Sequence, residues 1–389
     1  MFRLRRSLAA SLIVMTSRRG RLALPAAALA LIAGASLTLA PTTAAAPSPI
    51  VIAVEGPLTG SQSEVGIDMY RGVKLAADQV NAKGGVLGRQ ITVIKADDKA
   101  NPDLALSVAK KAKAAGAVAV IGPYNSSVGL LNLPYYISNK IVPVQLTSTD
   151  DTTGEGVTVQ PKNSQISPIE FNYIKATFAP TRVSMLVTQS TYTQGMADRL
   201  QASLLRTGVL VTQIPVAEGQ ADYSAEVKAA LADKPTVLYL STYFPEGALI
   251  AKQFAASGSS AKCFAGLANQ DPGFITAAGI ADSQACVFSG VPEPTQFPTA
   301  KNYVKQYKAT FNKNPGTWGT FTYDSANILF AAWKKAGTTT YAPVIRQLKK
   351  TTNFAGATGK ITIDTQGNRP NVPVKILRVN SLGTFVVIS

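Results

Sequence analysis

The chain has 389 residues, 46% of them hydrophobic and 15% charged, with 38 basic against 22 acidic side chains and a formal net charge of +16. That balance describes a globular protein long enough for two lobes. Histidine is absent, which excludes a Ser–His–Asp triad and removes both the commonest general base and the commonest zinc ligand.

The first 46 residues hold six arginines (Arg3, Arg5, Arg6, Arg18, Arg19, Arg21) and no acid. An apolar run from Leu22 to Ala40, broken by Pro25, leads to Thr42-Thr43-Ala44-Ala45-Ala46, small residues suited to cleavage before Pro47. This order predicts an export signal over residues 1–46; an uncleaved membrane anchor is the competing reading. Ser17-Arg18-Arg19 is a weak match to a twin-arginine signal, and Met15 is an alternative start. With no cysteine beside the cleavage site, no lipid anchor is expected on the mature N-terminus. Beyond this segment 32 basic and 22 acidic residues remain. The lysines are scattered over helical stretches such as Lys110-Lys111-Ala112-Lys113 and Lys349-Lys350, which describes a solvated surface and not a nucleic-acid stripe.

From Pro49 onward strand and helix alternate. Ile50 to Val54 reads as a buried strand with the exit Gly56-Pro57-Leu58-Thr59-Gly60. Gly66 to Asn81 has helical spacing and ends at Gly84-Gly85. Ile91 to Ile94 is a strand followed by Asp97-Asp98. Paired carboxylates suit metal or acid–base work, but Asn101-Pro102-Asp103 opens a helix just beyond, so capping and loop structure compete with that reading. After the helix Asp103 to Ala114 comes the stretch around which the chain is organised, Ala117 to Gly129. Its apolar strand ends at Gly122-Pro123, and Tyr124-Asn125-Ser126-Ser127 follow. Parallel sheets bind ligands at such strand ends, and a helix start flanked by hydroxyls suits a carboxylate. Asn125 or Ser126 acting only as a helix cap is the alternative. A helix over Val128 to Ser138, kinked at Pro134, and a strand Ile141 to Leu146 lead to a second polar exit, Thr147-Ser148-Thr149-Asp150.

A second set follows Pro161. Helices are expected over Ser167 to Phe178, Gly195 to Thr207, Tyr223 to Ala232 and Gly247 to Ala256. Strands are expected at Arg182 to Val187, Val209 to Pro215 and Thr236 to Ser241, with exits carrying Tyr192 and Tyr243. Cys263 and Cys286 each open a short apolar segment, as adjacent parallel strands would. An even cysteine count in an exported chain favours a disulfide over two buried thiols. Helices Lys301 to Phe311 and Tyr323 to Ala336, then strands Ile361 to Ile363 and Val374 to Val379, complete the chain. No G-x-G-x-x-G follows a strand, and neither a phosphate-binding G-x-x-x-x-G-K-[ST] nor a G-x-S-x-G is present. No cofactor, no metal site and no catalytic residue are therefore expected; a secreted enzyme on this fold would have to depend on Asp97 or Asp98.

Several stretches together resemble the branched-chain amino-acid-binding family of type I periplasmic binding proteins. They are Gly56 to Gly60; Gly72-Val73-Lys74-Leu75-Ala76-Ala77 with Val80-Asn81-Ala82-Lys83-Gly84-Gly85; Asp97-Asp98 with Pro102; Val120-Ile121-Gly122-Pro123; and Tyr323-Asp324-Ser325-Ala326. The resemblance covers essentially everything after the signal. It implies an α/β fold of two Rossmann-like lobes joined by three crossovers, with lobe 1 formed by residues 47–167 and about 291–356, and lobe 2 by 168–290 and about 357–389.

By the same resemblance the protein is an extracytoplasmic binding component, a monomer that closes on a small molecule and delivers it to an ABC-type permease. A sensory or regulatory protein of the same fold is the alternative. Ser126, with Ser127 beside it, falls at the carboxylate-binding serine. Thr147 and Thr149 fall where a carbonyl and a hydroxyl hold a ligand's α-carboxylate and α-ammonium. Tyr192 and Tyr243 fall at the second-lobe tyrosines, and Trp318 at an aromatic pocket wall. Surface tyrosines and a core tryptophan are the plainer readings of those three. The family's acid for the ammonium is missing after Gly266, where Leu267-Ala268-Asn269 stand, and its first-lobe aromatic is replaced near Val65. Either Asp271 reaches in, or the ligand lacks an α-ammonium, since a buried ammonium without a countercharge is costly. Amides and aromatic or aliphatic carboxylates then fit alongside amino acids.

Overall fold

The computed structural model describes residues 47–389; the expected export signal lies outside the described residues. Ile50–Gly56 (β1) is apolar on both faces and takes a central place in a parallel sheet. With β2 (Ile91–Asp97), β3 (Ala117–Ile121), β4 (Val142–Gln145) and β5 (Val157–Thr158) it forms a sheet of order β2-β1-β3-β4-β5. The intervening helices are α1 (Ser63–Asn81), α2 (Ala105–Ala114) and α3 (Ser126–Ser138). Pro134 lies inside α3. Of these three helices, two start earlier than their sequence pattern suggests: α1 at Ser63, where the Gln62 carbonyl accepts from the Val65 N–H, and α3 at Ser126.

The second lobe runs α4 (Asn163–Tyr173, continued by a π turn at Ile174–Phe178), β6 (Arg182–Thr188), α5 (Thr191–Leu205), β7 (Leu210–Val216), α6 (Ser224–Leu231), β8 (Val237–Ser241), α7 (Phe244–Ala256), β9 (Lys262–Ala265), α8 (Pro272–Ala278), α9 (Ile280–Gln284) and β10 (Cys286–Gly290). The chain then returns with α10 (Lys301–Phe311), α11 (Thr317–Ala336), α12 (Tyr341–Leu348) and a hairpin of β11 (Phe354–Gly356) and β12 (Gly359–Ile361). It crosses a third time to β13 (Lys375–Val379) and β14 (Phe385–Val387), an antiparallel extension of a sheet ordered β14-β13-β10-β9-β8-β6-β7. β9 and β10 pair in parallel with Cys263 opposite Cys286, and these two cysteines form a disulfide.

Two long-range devices fix how the returning helices sit. α11 packs on α1 where Gly72 faces the Gly319 carbonyl; a Cβ on Gly72 would lie 2.0 Å from that oxygen. Asp68 of α1 accepts from the Gly316 N–H at 3.0 Å and from the Gly319 N–H, so it satisfies the start of α11 from some 250 residues away. That remote acceptor is why α11 begins at Thr317 and not at Tyr323. At the third crossover Arg369 is buried, donating to the Thr358 hydroxyl and carbonyl at 2.8 Å each. Thr358 and Ala357 in turn donate their N–H groups to Asp324 of α11 at 2.8 and 2.7 Å. Among the described residues no helix is long and apolar enough to cross a membrane.

Candidate functional site

The first half of the site is built by the exit of β3. Gly122 takes φ +114°, and a Cβ there would meet the Glu55 carbonyl at 2.1 Å, so only glycine lets β3 turn beside β1. The turn delivers Tyr124 and Asn125 and starts α3 at Ser126. Ser126 is buried, and its Oγ accepts from the Thr149 N–H at 3.2 Å. Its own hydroxyl proton is left to donate elsewhere.

The neighbouring hydroxyls are committed differently. Ser127 Oγ accepts from the Thr191 N–H at 3.0 Å and contacts Thr191 Oγ1 at 3.2 Å, so it joins the lobes. The Thr147 hydroxyl bonds Gln145 and Thr152 within its lobe. The Thr149 hydroxyl accepts from the Asp151 N–H at 3.4 Å. Lys162, itself buried, donates to the Thr147 and Thr149 carbonyls at 3.2 and 3.1 Å and to Thr152 Oγ1 at 2.8 Å. Burial pulls the Lys162 ammonium down to about 8, opposed by the nearby Asp150, Glu155 and Asp151. Of the carbonyl and hydroxyl expected to hold a ligand at Thr147 and Thr149, the carbonyls of both residues are thus held by an ammonium of the protein's own, and the hydroxyls are bonded within the lobe.

The second half comes from two helix starts. Ser190 caps α5 by accepting from the Thr193 N–H at 3.2 Å, which sets Tyr192 in the first turn. Tyr243 stands at the exit of β8, just before α7. Four rings then run across the cleft: Trp318 to Tyr124 at 5.6 Å, Tyr124 to Tyr243 at 6.3 Å, and Tyr243 to Tyr192 at 5.9 Å between centroids. Burial pushes all three phenols up, Tyr124 and Tyr192 well above the ordinary tyrosine range, so they are neutral donors. The rings, with Ser126, Ser148 and Gln160 on the first-lobe side and Leu267 and Ala268 on the second, enclose a cavity of about 10 Å³. The lobes are closed down on one another, and an ion pair from Arg199 to Asp150 at 2.6 Å spans them.

Of the residues expected from sequence, Ser126, Tyr192, Tyr243 and Trp318 line this cavity, whereas Ser127, Thr147, Thr149 and Asp271 do not. Asp271 is the N-cap of α8, accepting from the Gly273 N–H at 2.7 Å. Its carboxylate belongs to the wall of a separate cavity of about 650 Å³ on the far side of Trp318, shared with Asp68, Arg71 and Glu293. Burial pushes Asp271 and Glu293 up to about 7. Asn269 does not stand in for an acid either. Its amide donates to the Leu240, Thr242 and Gly266 carbonyls and accepts from the Thr242 hydroxyl at 3.0 Å, all within the second lobe. Among the described residues, no acidic or basic side chain lines the interlobe cavity.

Sequence reasoning missed Tyr124 and Gln160. Tyr124 was visible as an aromatic at the favoured strand exit, and it supplies the first-lobe ring that the resemblance finds missing near Val65. Gln160 carries no local signal, because its position depends on how β5 pairs with β4. Asp97 works in the loop, accepting from the Leu58 and Thr59 N–H groups at 2.9 and 3.2 Å. Asp98 is buried, accepts from the Ala100 N–H at 2.8 Å, and is pushed up to about 7 by burial.

A family model described as Periplasmic binding protein matches residues 49–384. A Leu/Ile/Val-binding protein of Rhizobium johnstonii is 28% identical over 343 residues, 86% of this chain and 92% of that protein. The fold is that of a leucine-binding protein of Thermotoga maritima, with a TM-score of 0.81, 24% identity, and coverage of 87% of this chain and 98% of that one. A solute-binding protein of an ABC transporter from R. palustris, solved with benzoate, superposes with a TM-score of 0.78 at 17% identity, covering 88% and 96% of the two chains.

Proposed function

This chain belongs to the periplasmic binding protein family, and on that premise we propose that it is the exported solute-binding component of an ABC-type importer, a monomer that closes its two lobes on a small amino acid or a related carboxylate or amide. Its work is binding and delivery, not catalysis. The lobes are proposed as residues 47–162 with about 291–363, and 163–290 with about 364–389. The start of α4 at Asn163 and the pairing of β12 with β11 beside α11 support these limits.

The observation that carries the reading is the cavity between Ser126 at the start of α3 and the Tyr192–Tyr243 pair of the other lobe. In this mechanism the open first lobe offers the Ser126 hydroxyl and the first N–H groups of α3 to the polar end of the ligand. Tyr124 and Trp318 bury its apolar part. Closure brings in Tyr192 and Tyr243 and forms the Ser127–Thr191 and Asp150–Arg199 contacts, which makes the closed form the one a permease recognises.

Thermal melting and small-angle scattering with a panel of amino acids, amides and carboxylates test this. A bound ligand raises the melting temperature and compacts the protein. If no member of the panel changed either quantity, the reading would fail.

A further inference from the structure

Gln160 holds the least satisfied polar atom of the cavity wall. Its side-chain nitrogen donates to the Leu146 carbonyl and to Ser148 Oγ, the latter at 3.0 Å. A carbonyl accepts only from a donor, so the amide is fixed with its nitrogen toward β4. Its Oε1 is buried and has no hydrogen-bond partner among the described residues, on a side chain only 2% exposed. Ser148 offers no relief, since its hydroxyl already donates to the Pro161 carbonyl at 2.8 Å. A buried acceptor of this kind calls for a donor.

Resting on the binding cleft proposed above, we propose that Gln160 selects the ligand, and that the group it selects is a neutral carboxamide. A carboxamide presents a carbonyl and an N–H side by side. The carbonyl accepts from the Ser126 hydroxyl, and the N–H donates to Gln160 Oε1. An ammonium would be buried against neutral acceptors, because among the described residues no carboxylate lines the cavity and Asp271 lines the compartment beyond Trp318. A carboxylate would set acceptor against acceptor at Gln160, and Lys162 is already committed to the Thr147 and Thr149 carbonyls. Tyr124, Trp318 and Leu146 line the same cavity, which at about 10 Å³ has to widen as the lobes part to take the apolar remainder.

The test measures binding of the full chain to probes with one skeleton, 4-methylpentanamide, 4-methylpentanoate and leucine, together with the pair benzamide and benzoate, by calorimetry near neutral pH. The expected result is that each amide binds on the order of tenfold or more tightly than its carboxylate and than leucine. Gln160→Met is expected to erase that preference while Ser126 still supports residual binding. If Gln160→Met proves unstable in melting, the order of the probes on the unaltered protein decides alone. Tightest binding of leucine or a carboxylate, or an amide preference that survives Gln160→Met, overturns the Gln160 assignment and leaves the cleft standing. No binding by any of the five probes overturns both.

Discussion

Ser126 is the residue at which the chain commits the first half of its cleft. A bulky ring there fills the space the ligand's polar end requires. Ser126→Trp is therefore expected to abolish ligand-induced stabilisation, as read by calorimetric melting with whichever probe stabilises the unaltered protein. Glu170 carries a different prediction. It is fully buried behind the tyrosine layer, accepting from the Tyr239 hydroxyl at 2.8 Å and from Ser289, and burial pushes it up to about 7. The folded state keeps this proton between about pH 4.5 and 7, where the unfolded chain has lost it. The resulting stability is fully present below the ordinary carboxylate value and is lost as the pH rises through about 7, roughly 3 kcal/mol in all. Glu170→Gln should reduce the fall in stability between pH 5 and pH 8 in denaturant unfolding by its own share, leaving the part due to Asp98, Asp271 and Glu293; an unreduced fall would assign the titration to those groups. At this scale the sequence was readable where chemistry sits at a strand exit, as with Ser126, Tyr192 and Tyr243. It was unreadable where a side chain's role depends on a partner brought in by pairing. Gln160 is placed by β4, the Thr147 and Thr149 carbonyls are claimed by Lys162, and the Asp271 carboxylate is spent on the start of α8.

Among the elements, alternating apolar runs and helical spacing were enough to place every parallel strand of both sheets except the two-residue β5, and most of their helices. The errors fall at element starts and at the short pieces. The beginning of α11 is satisfied by Asp68 from another part of the chain, and no local pattern announces that. The hairpin β11–β12 and strand β14 are three residues long in each strand, too short for a period to register. The α1–α11 contact gives a sharp test of packing. Gly72→Ala places a methyl 2.0 Å from the Gly319 carbonyl and 2.6 Å from Thr322 Oγ1. The helices must separate to admit it, at a cost of about 1–3 kcal/mol. The expected outcome is a lower denaturant midpoint with an unchanged slope; an unchanged midpoint would mean that the two helices part more easily than their contact suggests.

For the molecule as a whole, closure rests on few polar links across the cleft, of which the partly exposed Arg199–Asp150 pair is one. Exposed pairs contribute about 0.2–1 kcal/mol. Arg199→Ala should therefore weaken ligand affinity by no more than about fivefold and raise the radius of gyration of the ligand-free protein in small-angle scattering. High salt should act on the unaltered protein in the same direction. A variant indistinguishable from the parent in both measurements would place the closing energy in the aromatic layer alone. That layer also gives the protein an optical property. The chain has two tryptophans. Trp333 is sealed in the core of the first lobe, whereas Trp318 stands at the cleft against Tyr124. Emission from Trp333 serves as an internal constant, and emission from Trp318 follows the polarity of whatever enters beside it. Ligand entry should shift the intrinsic fluorescence, and Trp318→Phe should remove the shift while the Trp333 signal persists, so the protein carries its own titration dye.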